Sequence, residues 1–412
     1  MRIKRLLREV LGLSRGVVVC GWELDWDRDE RPVLRVEVRD RVRRRGRCGR
    51  CGERAAWYDR GGGRRMWRHL DVAFARCVLV ADARRVDCLR CGPTVAALPW
   101  ARHDSAFTYA FDDVVVWEAL ASSKQAAADR YGVTWRAADN ACVRVASEAL
   151  GCIDLLDGLV AIGIDEVKYK KGQKYLTVVC DHVSGRVVWA GEGRSKKTVR
   201  AFFDALGDAR TARLQFVSCD GAEWIRTVLA ERAPQAEVCL DTWHVIKWAT
   251  DALDTVRRSE WNRLRQTGRA GAAKALKGLR WLLLRNWENL TGEERATIRD
   301  LDKSNRRLLR AWQLKEELRD IFGLGPVEAD AALDDWLHYA SRSKLEPFVK
   351  LARTIRRYRT SILATIEWGF TNGLAESVNA AIGRLRTNAR GYHHPDSLIA
   401  MIYLDRSGIA PD

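Results

Sequence analysis

The chain lacks any uninterrupted apolar run of the roughly 18 residues that a membrane-spanning helix requires. Its N-terminus is basic, but Arg15 interrupts the apolar stretch and no small-residue cleavage site follows. Neither a membrane span nor a signal peptide is therefore expected. No internal repeat of fixed period is present, which argues against solenoid and propeller folds. Low complexity is confined to Gly61-Gly62-Gly63, read as a tight turn. An even cysteine set is also missing. There are 11 Cys; four form two close pairs and the rest are scattered, mostly in apolar runs. That pattern excludes a disulfide framework and points to a reducing, cytoplasmic setting with one metal site.

What is present is length, tryptophan and positive charge. The 412 residues exceed one ordinary domain, and an apolar fraction of 47% with 17 Trp allows sizeable cores. The net charge is +17, and residues 1–100 hold 24 Lys+Arg against 13 Asp+Glu. A GC-rich genome explains Arg in place of Lys, but not a local surplus. Such a surplus suggests a polyanion, of which nucleic acid is the commonest.

Five regions follow from patterning. Residues 1–100 alternate strand-like runs (Val17–Cys20, Val33–Val38, Val78–Ala81) with Gly and Arg clusters and form a basic module. Residues 101–150 read as helical, 158–245 as mixed α/β, 246–365 as a helical insertion, and 366–412 as a return to the α/β core. In the first region, Cys48-Gly-Arg-Cys51 and Cys88-Leu-Arg-Cys91 are two CxxC knuckles, each followed by Gly. Two knuckles complete a tetrahedral structural Zn²⁺ site, and four thiolates leave no open position for catalysis. Around the first knuckle lie Arg39, Arg41, Arg43, Arg44, Arg45, Arg47 and Arg50, a density suited to phosphate contacts.

Residues 122–136 (SSKQAAADRYGVTWR) have the shape of a helix-turn-helix. Ser123 caps a short Ala-rich helix, Gly132 supplies the turn, and Thr134 caps a second helix running to about Val145. Lys124, Trp135, Arg136 and Asn140 are the candidate DNA contacts. An ordinary helical hairpin is the alternative.

The α/β region opens with Leu159–Glu166, an apolar run ending in Asp165. Strands over Lys174–Asp181 and Arg186–Ala190, a helix over Lys196–Leu206 and a strand over Leu214–Cys219 follow, the last ending at Asp220. This is the order of an RNase H-like core, in which the acids after the first and fourth strands sit side by side. A third acid belongs on a later helix. In Asn372–Asn379 (NGLAESVN), Asn372 or Thr371 caps a helix that carries Glu376 in its first turn, with Asn379 on the same face. Phosphodiester cleavage develops negative charge on the attacking and leaving oxygens, and two Mg²⁺ (or Mn²⁺) ions held by carboxylates stabilise both. Glu166, Asp181, Glu223 and Asp241 are rival acids.

These stretches resemble the ISL-three family of bacterial insertion-sequence transposases. The resemblance rests on residues 163–181 (GIDEVKYKKGQKYLTVVCD), 218–225 (SCDGAEWI), 240–249 (LDTWHVIKWA) and 372–394 (NGLAESVNAAIGRLRTNARGYHH). It implies a DDE triad of Asp165, Asp220 and Glu376, with Asp241, His244 and Asn379 as accessory residues. It further implies a nucleoid enzyme that binds terminal inverted repeats and target double-stranded DNA, works at least as a dimer, and joins ends by metal-dependent cleavage and strand transfer. Arg384, Arg386 and Arg390 then hold backbone near the site. Two rivals stay open at this point. One is a structure-specific nuclease on the same core; the other is a zinc and helix-turn-helix regulator without catalysis.

Overall fold

The computed structural model describes residues 2–41, 46–370 and 373–411. Arg43, Arg44 and Arg45, and the expected cap at Thr371 or Asn372, lie outside the described residues. The chain forms two compact units, residues 1–154 with 384–412, and residues 155–383. Residues 384–412, expected to close the α/β core, thus pack with the N-terminal modules instead. Among the described residues no helix is long and apolar enough to cross a membrane.

The first unit opens with the helix Arg2–Val10 and seven strands: β1 (Val17–Trp26), β2 (Pro32–Asp40), β3 (Ala56–Asp59), β4 (Arg64–Val72), β5 (Ala75–Asp82), β6 (Arg85–Cys88) and β7 (Gly92–Val95). Four form a sheet of order β1-β2-β5-β4, and three form a sheet of order β3-β6-β7. Alternating residues of the larger sheet (Val17, Val19, Val36, Val38, Cys77 and Leu79) close on Trp67 and Trp100. Three of these strands, β1, β2 and β5, contain the strand-like runs Val17–Cys20, Val33–Val38 and Val78–Ala81 of the sequence.

Three helices follow, Tyr109–Ala121, Lys124–Tyr131 and Trp135–Cys152. Ser123 accepts from the backbone N–H of Ala126, and Thr134 from that of Ala137. Gly132 has φ +61°, the left-handed turn that a side chain resists. Ala127, Ala128, Ala138 and Ala141 are buried, so the helices cross closely. The second helix of the motif runs to Cys152, a turn or two beyond the expected end at Val145. The C-terminal helix Pro395–Arg406 packs against it.

The second unit holds β8 (Ala161–Lys170), β9 (Lys174–Asp181), β10 (Val187–Glu192), β11 (Phe216–Cys219) and β12 (Glu237–Leu240) in the order β10-β9-β8-β11-β12. β9 is antiparallel to β8 and to β10, whereas β11 is parallel to β8 and to β12. This is the RNase H-like order, with the fifth strand, four residues long, not anticipated from the sequence. Ile162, Ile164, Val179 and Val217 pack on Phe202 and Phe203 of the helix Lys196–Leu206 and on Ile225 and Val228 of the helix Glu223–Arg232. From Thr242 to Trp368 the chain is helical and builds its own core.

His69 ties the first unit together. Its Nε2–H donates to the Leu11 carbonyl (3.1 Å), and Nδ1 accepts from the Thr108 hydroxyl (2.9 Å). Burial lowers its pKa below the ordinary value, against the opposing pull of the Leu11 carbonyl. Below about pH 6.5 the unfolded chain therefore takes up a proton that the folded imidazole refuses. This stability is present above that pH and is lost as pH falls toward the folded pKa. Urea unfolding at pH 5 and pH 7.5 is expected to show a steeper acid loss in wild type than in His69→Gln, and equal losses would refute the assignment.

Candidate DNA-processing site and metal centre

Register places the acids. Ile164 pairs with Cys219, and Cys219 with Leu240. The next residues on the three neighbouring parallel strands are Asp165, Asp220 and Asp241, so the acids lie at one level of the sheet, where β11 and β12 end. The strand of Asp165 does not end at the acid as expected. β8 continues to Lys170, and Asp165 sits where its neighbour β11 stops.

Asp165 is largely buried. Its Oδ1 accepts from the backbone N–H of Glu166 (2.8 Å) and its Oδ2 from the Asn379 amide (2.7 Å). Burial raises its pKa above the usual range, with the charge of Asp220 adding to the effect and the two hydrogen bonds opposing it. Glu166 does not face solvent. Its side chain is 6% exposed, 3.5 Å from the Arg194 guanidinium, and burial and then Asp220 push its pKa up to about 7. Asp220 Oδ1 accepts from the Ala222 N–H and shapes its loop. Asp241, 4% exposed, caps the helix Thr242–Gln266 and holds His244 Nδ1 at 2.6 Å. That hydrogen bond raises the His244 pKa, helped by the fields of Asp220 and Asp165.

Glu376 lies in the first turn of the helix Gly373–Asn388 and is exposed. One turn on, Asn379 makes the bond to Asp165. The helix bearing Glu376 is thereby fastened beside the strand bearing Asp165. Asp165, Asp220 and Glu376 do not close to within 4.8 Å of one another; among the described residues the four cysteines are the group that does.

Two of the four rival acids, Asp181 and Glu223, are engaged elsewhere, whereas Glu166 and Asp241 stay beside Asp165 and Asp220. Asp181 sits beside the start of β8, opposite Ile162, and accepts from the N–H groups of Val183 and Ser184 in its own turn. Glu223 pairs with Arg357 in solvent. The insertion braces the Asp220 loop, a role the sequence did not reveal. The Tyr358 hydroxyl donates to the Gly221 carbonyl (2.8 Å), and a Cβ at Gly221 would lie 2.5 Å from the Trp248 ring.

The four cysteines of the two knuckles converge. The Sγ atoms of Cys48, Cys51, Cys88 and Cys91 all lie within 4.8 Å, with Cys51 and Cys88 at 3.5 Å. Burial works against the Cys48 thiolate, but the N–H groups of Cys51 and Arg50 outweigh it and bring the pKa to about 7. Four soft thiolates at this spacing suit a closed zinc site.

The candidate DNA contacts divide. Arg41, Arg47, Trp135, Arg136, Asn140, Arg384 and Arg390 are exposed, and Arg386 is half-buried. Lys124 is not a surface contact: its side chain is 1% exposed and is consumed by internal hydrogen bonds.

A zinc-finger module, a helix-turn-helix and an RNase H-like core with acids level on adjoining strands define a DNA-binding transposase of the DDE class. Residues 162–402 match the ISL3 transposase domain. Residues 44–91 match the zinc-finger of transposase IS204/IS1001/IS1096/IS1165, and residues 96–146 the helix-turn-helix domain of transposase family ISL3. The chain belongs to the ISL3 family of transposases. It is 42% identical to the transposase for insertion sequence element IS1557 of Mycobacterium tuberculosis, over 100% of this chain and 97% of that protein. It is 28% identical to the transposase for insertion sequence element IS1001 of Bordetella parapertussis, over 95% of each.

One zinc per chain is expected in the purified protein by elemental analysis. Cys48→Ser and Cys91→Ser should each lower that content and loosen the first unit to proteolysis. Full zinc retention in both variants would exclude the four-cysteine site.

Proposed function

We propose that this transposase reads the terminal inverted repeats of its own insertion sequence, cleaves at the element ends and joins them to target DNA through Asp165, Asp220 and Glu376. The observation that carries the reading is the 2.7 Å bond from Asn379 to Asp165, which sets the Glu376 helix against the strand edge shared with Asp220.

The donor set fits a divalent metal. Its groups are hard oxygens; Asn379 Oδ1 is buried with no hydrogen-bond partner, and Glu166 Oε1 has the Arg194 guanidinium beside it at 3.5 Å. Asp165, Asp220 and Glu376 would hold Mg²⁺ or Mn²⁺. The metal, when bound, supplies activation of the attacking oxygen and offsets charge on the leaving one. Asn379 orients the Asp165 carboxylate. Asp241 fixes the imidazole of His244, leaving Nε2 as its free nitrogen to orient a phosphate or a water. Trp135, Arg136 and Asn140 enter the major groove, while Arg41, Arg47, Arg384, Arg386 and Arg390 meet phosphates. Bringing two ends together calls for at least a dimer.

The test uses a labelled terminal-repeat duplex. Asp165→Asn, Asp220→Asn and Glu376→Gln should each lower cleavage by more than the ~10–100-fold that an outer partner of a metal ligand costs. End binding in Ca²⁺ should persist. Asn379→Ala should fall within that outer range. Undiminished cleavage by any triad variant would remove that residue from the assignment. Wild-type binding equal on end and scrambled duplexes would remove the inverted-repeat reading.

A further inference from the structure

Lys124 opens the first helix of the helix-turn-helix, where a basic residue ordinarily meets phosphate. Here its ammonium spends all three donors inside the fold. It bonds Asp139 Oδ1, the Ser397 hydroxyl at 2.7 Å and the Ser397 carbonyl at 3.1 Å. The Ser397 hydroxyl in turn donates to Asp139 Oδ1, and the buried ring of Tyr392 covers the ammonium at 5.1 Å. Asp139 lies on the helix Trp135–Cys152, one turn past Trp135 and next to Asn140. Ser397 opens the C-terminal helix, 258 residues away in sequence.

The apolar side of this contact is uneven: the C-terminal helix buries Leu398, Met401 and Ile402, whereas the recognition helix, Trp135–Cys152, buries mostly small side chains. The buried residues of the recognition helix are Ala138, Ala141, Cys142, Val145 and Ala146, small side chains that allow close approach and also sliding. A buried charge with its partners in place is directional, and a shift of either helix would strand it. Base readout needs side chains held to a fraction of an ångström, whereas phosphate contacts tolerate small shifts.

We infer that Lys124, Asp139 and Ser397 are positioning residues for end recognition, and that the C-terminal helix belongs to the DNA-reading apparatus. It fixes the recognition helix in the register that base contacts require. The inference rests on the reading above that Trp135, Arg136 and Asn140 contact the ends. Removing the latch should cost discrimination between sequences, not general affinity for DNA.

The experiment uses the full chain at one fixed salt concentration. Dissociation constants are measured for a terminal-repeat duplex and for a scrambled duplex of equal length. Ser397→Ala and Lys124→Met should each lower the ratio of the two by about tenfold or more, a small part of the usual specific-to-non-specific span. The scrambled-duplex value should stay within about twofold, and Ser397→Thr, which keeps the hydroxyl, should restore most of the ratio. A wild-type ratio in Ser397→Ala overturns the inference. So does parallel weakening on both duplexes, the mark of a purely structural role. If Lys124→Met does not fold, Ser397→Ala and Ser397→Thr decide alone. Trp135→Ala and Arg136→Ala distinguish the two failures. If they keep the wild-type ratio, the recognition-helix reading falls and takes this inference with it. If they lose the ratio while Ser397→Ala keeps it, only the latch falls.

Discussion

The placement of the acids depends on a register constraint. Parallel pairing of β8 with β11 and of β11 with β12 matches Ile164, Cys219 and Leu240, so the three following aspartates emerge together. Backbone hydrogen bonds and the cores on Ile162, Val217 and Phe202 set that alignment. The acids are carried along, at an electrostatic cost. Asp165 and Glu166 are both held above their usual pKa range by burial and by Asp220. A fold that assembles like charges in a partly buried edge stores a demand for cation that solvent cannot fully meet. Arg194 beside Glu166 and His244 on Asp241 meet part of it.

The helical insertion follows from the same constraint. Between Asp220 and Glu376 lie 155 residues, many more than an RNase H-like core requires. They are more than a spacer. Tyr358 holds the Gly221 carbonyl, Trp248 occupies the space a side chain at 221 would need, and the Thr365 hydroxyl donates to the Leu240 carbonyl just before Asp241. The insertion thus grips the backbone beside two of the three aspartates. Substitutions on its inner face reach the site through those grips without touching it.

Much of this was legible in the sequence because it is local. The CxxC spacing, the caps Ser123 and Thr134 around Gly132, and the apolar runs of β8, β9 and β11 each carry their physics within a few residues. What stayed hidden depends on distant partners. Lys124 reads as a DNA contact until Ser397 is beside it. Glu166 reads only as a rival acid until the Arg194 side and the Asp220 field are seen. β12 offers an apolar run of only Val238–Leu240, too short to signal a strand without its neighbour β11. The pairing of residues 384–412 with the N-terminal unit has no local signature either.

The two candidate metal-binding sets of the chain differ in the nature of their donors. The four cysteines are soft, clustered within 4.8 Å and set on backbone knuckles, so a bound ion there is enclosed on every side. The acids are hard oxygens on separate elements and do not close to that distance. In the proposed role that openness leaves room for the oxygens of a DNA strand, which a site filled by its own ligands would exclude. The bond from Asn379 to Asp165 resolves the tension: it holds the Glu376 helix in place through a neutral amide, while the Glu376 carboxylate stays exposed. An amide at that position adds no further negative charge to an edge that already carries three aspartates and Glu166. A carboxylate in its place would have raised the electrostatic cost of the apo site and drawn the helix away from the acid it now holds.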